Sequence, residues 1–326
     1  DNNGQVLIAN WPIQAYFIPD GVASYTVGGT TFLVTANEGD EKEYTGFTER
    51  VAVGAGAYTL DATNFPNASV LKQNHNLGRF RVTNLNGNTD ADAQFETIHC
   101  VGTRSFSIFN TTTKQIVFDS GDDFERYTAA NLPTLFNADH ENNTPKGRSR
   151  AKGPEPEGVT IAQIATETFA FVSLERVGGV IVYNITNPNN PVFVDYKNSR
   201  STSAYSGDHG PEGITYIAPA NSATAKGYVL VANEISGTIT IYEVDENTLS
   251  SSDFNSEPKT FVIFPNPASN SEIVYFNRVA DIEVYDVTGK LILTEKEALS
   301  INTSKLQTGV YLVKTSEGIT KKLVVK

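Results

Sequence analysis

The chain has 326 residues, of which 39% are hydrophobic and 19% charged, a composition typical of globular proteins and a length that suits two domains of about 150 residues. Its formal net charge of −12 excludes the basic field that draws a protein to nucleic acid or to an anionic lipid surface. The apolar stretches, such as 168–174, are strand-sized and far shorter than the roughly 20 residues that cross a bilayer, so no transmembrane segment is predicted.

Two further features of the composition bear on redox chemistry and processing. The single cysteine, Cys100, excludes an intramolecular disulfide and a thiolate metal cage, and we expect it to be a small buried apolar side chain. The sequence begins at Asp1 with neither a basic leader nor an apolar export segment, and it contains no methionine. We therefore expect a processed product or a fragment of a longer protein.

Strand-forming patterns dominate the chain. Alternating runs of β-branched and aromatic residues are separated by Gly, Pro and Asn turns, and no long stretch has helical periodicity. In chain order the predicted strands are Thr31–Thr35, Ser105–Phe109, Gln115–Phe118, Phe169–Leu174, Val180–Tyr183, Val229–Ala232, Thr238–Val244, Ile282–Val287 and Val310–Thr315. A short helix is predicted at Asp123–Phe136, ending near Pro133 because proline cannot continue a helix. The sequence therefore predicts an all-β protein.

Composition also divides the chain into two predicted domains. Residues 246–260 are rich in Ser and Asn and lack apolar periodicity, which is typical of an exposed linker. This linker separates a domain of residues 1–245, which carries nearly all of the net negative charge, from a domain of residues 261–326.

An acidic turn recurs three times in the first domain. In each copy an acid-Gly-aliphatic triplet opens one strand, and a second acid follows the next strand. The copies pair Asp20-Gly21-Val22 with Glu38, Glu157-Gly158-Val159 with Glu175, and Glu212-Gly213-Ile214 with Glu234. Repeated units of up to four strands are typical of propeller blades, so we predict a partial β-propeller with three recognisable blades. Closed propellers have about four to eight blades, so the missing ones are expected before Asp1 in a longer protein, the favoured alternative, or in another chain. The competing interpretation is a β-sandwich with coincidental turn similarity.

The repeat predicts an acidic face. Because a β-hairpin returns to its starting end, both acids of each copy are expected on one rim. Crowded carboxylates raise one another's pKa unless something compensates, and calcium, which takes about six to eight oxygen ligands, suits such a face. The predicted metal or ligand residues are Asp20, Glu38, Glu155, Glu157, Glu175, Glu212 and Glu234. Two alternatives stay open: the acids cap turns and pair with Arg104 or Arg176, or a carboxylate pair performs acid–base catalysis.

A second candidate calcium site lies in a loop of the first domain. Oxygen-bearing side chains recur there at every second residue, which approximates the ligand spacing of a calcium loop. These residues are Asn88, Asp90, Asp92 and Glu96. Ala93 stands where such loops need a glycine for a sharp turn, so the alternative is a solvated acidic turn. None of the common hydrolase motifs is present, and the four histidines share no metal-ligand spacing.

Several strings in the first domain carry a family resemblance. They are PDGVAS at 19–24, LVTANEGD at 33–40, RSFSI at 104–108, FDSGD at 118–122, GPEPEGV at 153–159, LERVGG at 174–179 and GPEG at 210–213. Through them residues 15–245 resemble the C-terminal part of the choice-of-anchor I domain, a family of secreted, propeller-like proteins. The resemblance implies a surface location. It also supplies an alternative function, a metal-dependent phosphoesterase in which paired carboxylates hold the metal and Arg104 or Arg176 clamps phosphate; whether the chain is an enzyme stays open.

A second resemblance covers the C-terminal domain. The strings are FPNP at 264–267, IEVYDVTGK at 282–290, LQTGVY at 306–311 and KKLVVK at 321–326. They are similar to a type A C-terminal sorting domain of the type IX secretion system of Bacteroidota, a small Ig-like β-sandwich. The matching signal residues are Pro265, Asn266, Pro267, Asp286, Gly289, Lys290, Gly309, Tyr311, Lys322, Val324 and Lys326.

The sorting resemblance implies a route and a set of partners. The route is export through the periplasm and outer membrane to the cell surface or the medium. The partners are the outer-membrane shuttle barrel, the translocon and the sortase, acting on residues 261–326. If the last strand has a free edge, we expect it either to dock by β-addition or to insert its terminal segment into the barrel partner.

Overall fold

The computed structural model describes residues 6–90, 92–245, 261, 263–316 and 318–326. The predicted linker at 246–260 lies outside the described residues. The described chain forms two compact units, residues 13–245 and residues 6–12 together with 261–326. Nearly all of its regular structure is β-strand, which confirms the predicted all-β class.

The first unit contains nineteen strands, two α-helices and a 3-10 helix at Pro219–Asn221 among its described residues. Its N-terminal part comprises β1 Gln14–Tyr16, β2 Val22–Val27, β3 Thr30–Ala36, β4 Glu43–Tyr44, β5 Phe47–Thr48, β6 Arg50–Ala52, β7 Thr59–Leu60, α1 Ala68–Leu71, β8 Arg81–Thr83, β9 Gln94–Phe95, β10 His99–Val101, β11 Phe106–Asn110, β12 Gln115–Asp119 and α2 Asp123–Asn131. Its C-terminal part comprises β13 Pro156–Ile164, β14 Glu167–Leu174, β15 Val180–Asn184, β16 Val192–Lys197, β17 Pro211–Ile217, β18 Gly227–Asn233 and β19 Thr238–Val244. Helix α2 ends two residues before Pro133, as the restricted backbone of a pre-proline residue requires.

Three antiparallel sheets follow one another in the first unit. Sheet 1 has the order β12-β11-β3-β2, sheet 2 the order β13-β14-β15-β16, and sheet 3 the order β17-β18-β19. The first strands of the sheets are neighbours, because β13 contacts both β2 and β17. These contacts place the starts of the three repeats at a common edge. The long stretch between β3 and β11 forms three of the small two-stranded sheets, β4 with β5, β6 with β8 and β7 with β9, while its last strand, β10, pairs with β1; Cys100 is buried there, as predicted.

The repeated glycines allow the sheets to approach closely. The N–H of Gly21 donates to the carbonyl of Glu157 at 2.8 Å, and a Cβ on Gly21 would lie 2.5 Å from that oxygen. A Cβ on Gly158 would likewise lie 2.6 Å from the carbonyl oxygen of Glu212. Any larger residue would therefore push the sheets apart, and the glycines after Asp20 and Glu157 are a consequence of packing between sheets.

Apolar side chains fill the two spaces between the three sheets. One buried cluster lies between sheets 1 and 2 and includes Val34, Phe106, Val172 and Tyr183. A second lies between sheets 2 and 3, where Phe171, Val180 and Val182 pack with Val229 and Val231. Burial at about 25 cal/mol per Å² of apolar surface makes these interfaces the main source of stability of the unit.

The second unit is a single, nearly closed sheet. Its strands are β20 Ile263–Phe264, β21 Ile273–Asp286, β22 Leu291–Asn302, β23 Gly309–Thr315 and β24 Thr320–Val325. The order is β20-β21-β23-β24, with β22 paired to β21. Residues 6–12 pack with this unit, and the ring of Trp11 lies 4.7 Å from that of Phe264.

The segment that follows β20 closes the sheet against its last strand. Ala268 forms a parallel bridge with Val325, and the side-chain amide of Asn266 donates to the carbonyl of Lys322 at 2.6 Å. The Asn266 side-chain oxygen accepts the N–H of Val324 at 2.9 Å. A free edge was the condition for docking by β-addition, and the structure shows that Asn266 and Ala268 bond to this edge of the last strand.

Hydrogen bonds hold the two tight turns that the sequence predicts in the second unit. The carboxylate of Asp286 accepts the N–H groups of Thr288 at 2.8 Å and Lys290 at 3.0 Å, and Gly289 has a φ of 86°. The hydroxyl of Tyr311 donates to the carbonyl of Gln307 at 2.9 Å. Within the described part of the chain, no helix has the length and apolar character needed to traverse a bilayer.

Candidate functional site

The acids of the first two repeats meet at one edge of the first unit. Asp20 precedes β2 and Glu38 follows β3, so the hairpin returns both to one rim. The Gly21 contact then brings Glu157, at the start of β13, against this pair. Carboxylate oxygens of Asp20, Glu38 and Glu157 lie within 4.8 Å of one another, and so do those of Glu38, Glu155 and Glu175.

Glu155 is the centre of a buried ion-pair network. Its side chain is fully buried, and it pairs with Arg148, with Lys152 at 3.0 Å and with Arg176 at 3.1 Å. Burial alone raises the pKa of Glu155, but the three cations outweigh it and hold the pKa below its usual value. Because cations contact both of its oxygens, the Glu155 carboxylate is better suited to these structural ion pairs than to binding a metal.

Glu175 is also compensated by positive charge. The Nδ1 atom of His140 lies 2.8 Å from its carboxylate, and the Nε atom of Arg176 lies at 3.2 Å. Asp139 flanks the same guanidinium, 3.6 Å from its Nη1 atom. The arrangement is a buried, mutually satisfied cluster of alternating charge.

Glu157 lacks such compensation. Its side chain is only 8% exposed, and its Oε2 atom has no hydrogen-bond partner among the described residues. Burial, and then the charges of Glu38 and Glu175, raise the pKa of Glu157 to about 9. Burial also raises the pKa of Glu38 to about 7, although the Lys152 amine that pairs with it opposes the change. Asp20, Glu38 and Glu157 therefore form a site with more negative charge than nearby cations offset, which we call the acidic triad.

The third repeat contributes a more exposed pair. Glu212 and Glu234 follow the same pattern on β17 and after β18. Burial, and then its neighbour Glu234, raise the pKa of Glu212. Neither residue belongs to the described groups whose oxygens lie within 4.8 Å. The structure therefore separates these two acids from the acidic triad.

The candidate calcium loop is held by its own hydrogen bonds. Oxygens of Asp90, Asp92 and Glu96 lie within 4.8 Å of one another. Asp90 accepts the N–H of Asp92 at 3.2 Å, Glu96 accepts the hydroxyl of Thr89 at 3.0 Å, and the amide of Asn88 donates to the Asp92 carbonyl. These contacts are those of a solvated acidic turn, and they leave the calcium interpretation a prediction.

Both candidate anion clamps have internal partners. Arg104 pairs with Glu125 at 2.7 Å and donates to the carbonyls of Ser149 and Ala151 at 2.8 and 2.6 Å. Arg176 belongs to the network around Glu155 described above. The pairing of acids with Arg176, one of the alternatives drawn from the sequence, is present.

Sequence reasoning missed the cations that decide the character of each acid. His140, Arg148 and Lys152 all come from the irregular stretch between α2 and β13, as does the acid Asp139. That stretch has no apolar periodicity that would fix which way its side chains point. The only available signal was its density of basic residues, immediately before the second acidic repeat.

Comparisons with known proteins agree with both resemblances. Residues 1–188 match the family model of the choice-of-anchor I domain, and residues 262–326 match that of the secretion system C-terminal sorting domain. The second match marks the chain as type IX cargo, exported to the cell surface or secreted.

Two curated proteins are similar to this chain. Gigasin-3a of Magallana gigas is 26% identical over 184 residues, which are 52% of this chain and 64% of that protein. The mesenchyme-specific cell surface glycoprotein of Strongylocentrotus purpuratus is 21% identical over 265 residues, 71% of this chain and 32% of that protein. The alignments thus span less than two thirds of either relative. Because the first family match covers more than half of the sequence, the chain belongs to the choice-of-anchor I family.

Proposed function

We propose that the first unit of this exported cargo protein binds a divalent cation, with calcium the best candidate, at the acidic triad of Asp20, Glu38 and Glu157. The observation that carries the proposal is the buried, unpartnered Oε2 atom of Glu157, which faces two further carboxylates. A desolvated carboxylate needs a proton or a cation, and neighbouring acids make the cation the stronger partner at neutral pH.

The chemistry of the donors favours a hard cation. All three side chains offer oxygen, the ligand type that calcium prefers, and calcium tolerates the irregular geometry of a site built from two sheets. The three carboxylates would supply part of the coordination shell, with water and backbone carbonyls completing it. The Lys152 amine, which also contacts the carbonyl of Gly39, offsets part of the charge and would limit the affinity.

The decisive experiment is calorimetric titration of the full chain, freed of metal with a chelator, with calcium chloride. Wild type is expected to bind calcium, and Glu157→Gln to lose this binding, because the amide keeps the shape but not the charge. Glu212→Gln is the matched control, since it makes the same change at the same position of the third repeat. Asp92→Asn tests the candidate loop separately. Calcium binding that survives in Glu157→Gln would refute the proposal.

The alternative, a metal-dependent phosphoesterase, has weaker support. A phosphate would have to displace Glu125 from Arg104 or Glu155 from Arg176, at a cost in buried ion pairs. Hydrolysis of a generic aryl phosphate with added metal separates the two functions. Turnover in wild type that Glu157→Gln abolishes would favour the enzyme, whereas binding without turnover favours a cation-stabilised surface protein.

The sorting domain supports a proposal about partners. We infer that residues 261–326 are handed to the outer-membrane shuttle barrel, the translocon and the sortase of the secretion system. One relative is named as a cell surface glycoprotein, which agrees with a surface destination. Removing Lys321–Lys326, which takes away all of β24 except Thr320 together with the bridge to Ala268, is expected to abolish surface delivery. Normal delivery of that truncated chain would contradict the inference.

A further inference from the structure

The outer face of sheet 3 repeats an interface that the same fold buries elsewhere. The register of the strands makes Ala232 and Ile239 of sheet 3 equivalent to Ser173 and Val180 of sheet 2. By the same register, the residues Phe171, Val180 and Val182 correspond to Leu230, Ile239 and Ile241. The first three are 3%, 2% and 6% exposed, whereas Ile239 and Ile241 are 69% and 61% exposed.

Gly213, the glycine of the third repeat, also lacks a sheet packed against it among the described residues. A Cβ on Gly158 would meet the Glu212 carbonyl of the next sheet at 2.6 Å. A Cβ on Gly213 would meet only Ala232 of its own sheet, at 3.5 Å. Sheet 3 therefore has the glycine and the apolar side chains of an interface between sheets, with no sheet against them among the described residues.

The surface that fits this face is present at the other end of the unit. Sheet 2 is covered by the face of sheet 3 that contains Ile214 and Val229, both packed in the shared cluster. The register makes Val22 and Leu33 their equivalents in sheet 1. Val22 is 56% and Leu33 36% exposed. One chain thus has two exposed faces whose equivalents pack on each other inside the unit.

We propose that two copies of this chain associate head to tail, with sheet 3 of each packed on the β2–β3 face of sheet 1 of the other. The contact is heterologous, and such contacts form a closed ring when the rotation per copy completes a circle. Two sets of three sheets make a ring of six, within the range of about four to eight blades in closed propellers. Closure removes both apolar faces from water.

The test is sedimentation velocity on the full chain over a range of concentrations. Wild type is expected at 70.8 kDa, twice the 35.4 kDa of one chain. Ile239→Lys and Val22→Lys are each expected to give the single-chain mass, because each places a charge in both interfaces of the ring. Leu85→Lys, at a half-exposed leucine outside the three sheets, is the matched control and should leave the mass unchanged. Circular dichroism of each variant verifies that the fold is retained.

Mixing the two interface variants makes the test specific for head-to-tail packing. An assembly of one Ile239→Lys chain and one Val22→Lys chain has one interface with both substitutions and one with none. The mixture is therefore expected to recover a species of twice the chain mass, at weaker affinity than wild type. A wild type that stays at the single-chain mass overturns the proposal. A species that Ile239→Lys abolishes and Val22→Lys leaves intact also overturns it, because sheet 3 would then pack on its own copy.

Discussion

Replacing Glu157 by glutamine is expected to stabilise the metal-free protein at neutral pH. The pKa of Glu157 rises from its usual 4.5 to about 9 in the folded chain, so folding requires this side chain to take up a proton. The interval from 4.5 to pH 7, at about 1.4 kcal/mol per pH unit, sets a ceiling of about 3 kcal/mol on the cost. Solvent at the rim screens part of that cost, so we expect a gain of roughly 1.5 kcal/mol from the neutral amide.

The raised pKa of Glu157 determines whether stability rises or falls with pH. A group whose pKa is higher in the folded state than in the unfolded state favours folding most at low pH. For Glu157 that contribution is fully present below about 4.5 and is lost as the pH rises toward 9. Wild type should therefore lose stability over this interval, and Glu157→Gln should lose less of it. Glu38, whose pKa is raised to about 7, keeps a smaller slope in both proteins.

Urea denaturation at pH 5, 7 and 8.5, with and without calcium, is the assay. The single tryptophan, Trp11, packs with the second unit, so its fluorescence follows that unit and should be unaffected by the substitution. Far-ultraviolet circular dichroism follows both units. Saturating calcium at about 100 times the dissociation constant should stabilise wild type by about 2.7 kcal/mol and leave the variant unchanged, reversing their order.

Two results would refute the reasoning. A variant that is less stable than wild type by the same amount at every pH would mean that the Glu157 carboxylate makes a favourable contact in the folded chain. A wild-type stability that is level between pH 5 and 8.5 would mean that Glu157 and Glu38 have ordinary pKa values. Glu212→Gln, at the exposed equivalent position, shows the size of effect expected without deep burial.

Three further outcomes follow from the packing. Gly158→Ala should destabilise the first unit by about 1–3 kcal/mol in urea denaturation, because its Cβ would lie 2.6 Å from a carbonyl oxygen, whereas Gly213→Ala should change the stability of the single chain by less than about 0.5 kcal/mol. Glu155→Gln should cost about 3–5 kcal/mol at pH 7, since three buried or half-buried cations lose their shared partner, and a loss below about 1 kcal/mol would contradict the network. Asn266→Ala should destabilise the second unit by about 1–2 kcal/mol, measured by Trp11 fluorescence, because the last strand loses two hydrogen bonds.

Local sequence patterns were sufficient to predict the long strands β3, β14 and β18 and the rim that carries the acids, but not the short strands between β3 and β11. The pairing of Asp20 with Glu38 depends only on a hairpin, β2 to β3, whose alternation and turn are visible in the sequence. Helix α2 and its end before Pro133 are equally local. Whether the last strand has a free edge could not be predicted from local patterns, since Asn266, which bonds to that edge, lies 58 residues from Val324 in the sequence. A side chain that takes the place of a neighbouring strand by bonding to the backbone leaves no hydrophobic periodicity in the sequence.

The different roles of the acids depend on tertiary contacts that no local sequence pattern predicts. Glu155 and Glu157 are two residues apart, yet the pKa of the first is lowered and that of the second is raised. The difference comes from Arg148 and Lys152, which reach Glu155 and not Glu157. The sequence identifies seven acids as one set, and only the tertiary structure separates the structural ion-pair centre from the candidate cation site.

The position of the acidic triad follows from how the sheets pack. Asp20 and Glu157 each precede a glycine, and a Cβ on Gly21 or Gly158 would lie only 2.5 or 2.6 Å from a carbonyl oxygen of the next sheet. Packing that brings Gly21 against the backbone of Glu157 therefore also brings the carboxylates of Asp20 and Glu157 together. The electrostatic cost of this proximity rises as the carboxylates become buried. Arginine, lysine and histidine side chains offset this cost at Glu155 and Glu175. The chain leaves the cost uncompensated at Glu157, and a carboxylate that destabilises the metal-free fold is retained most readily where a bound cation reverses its effect.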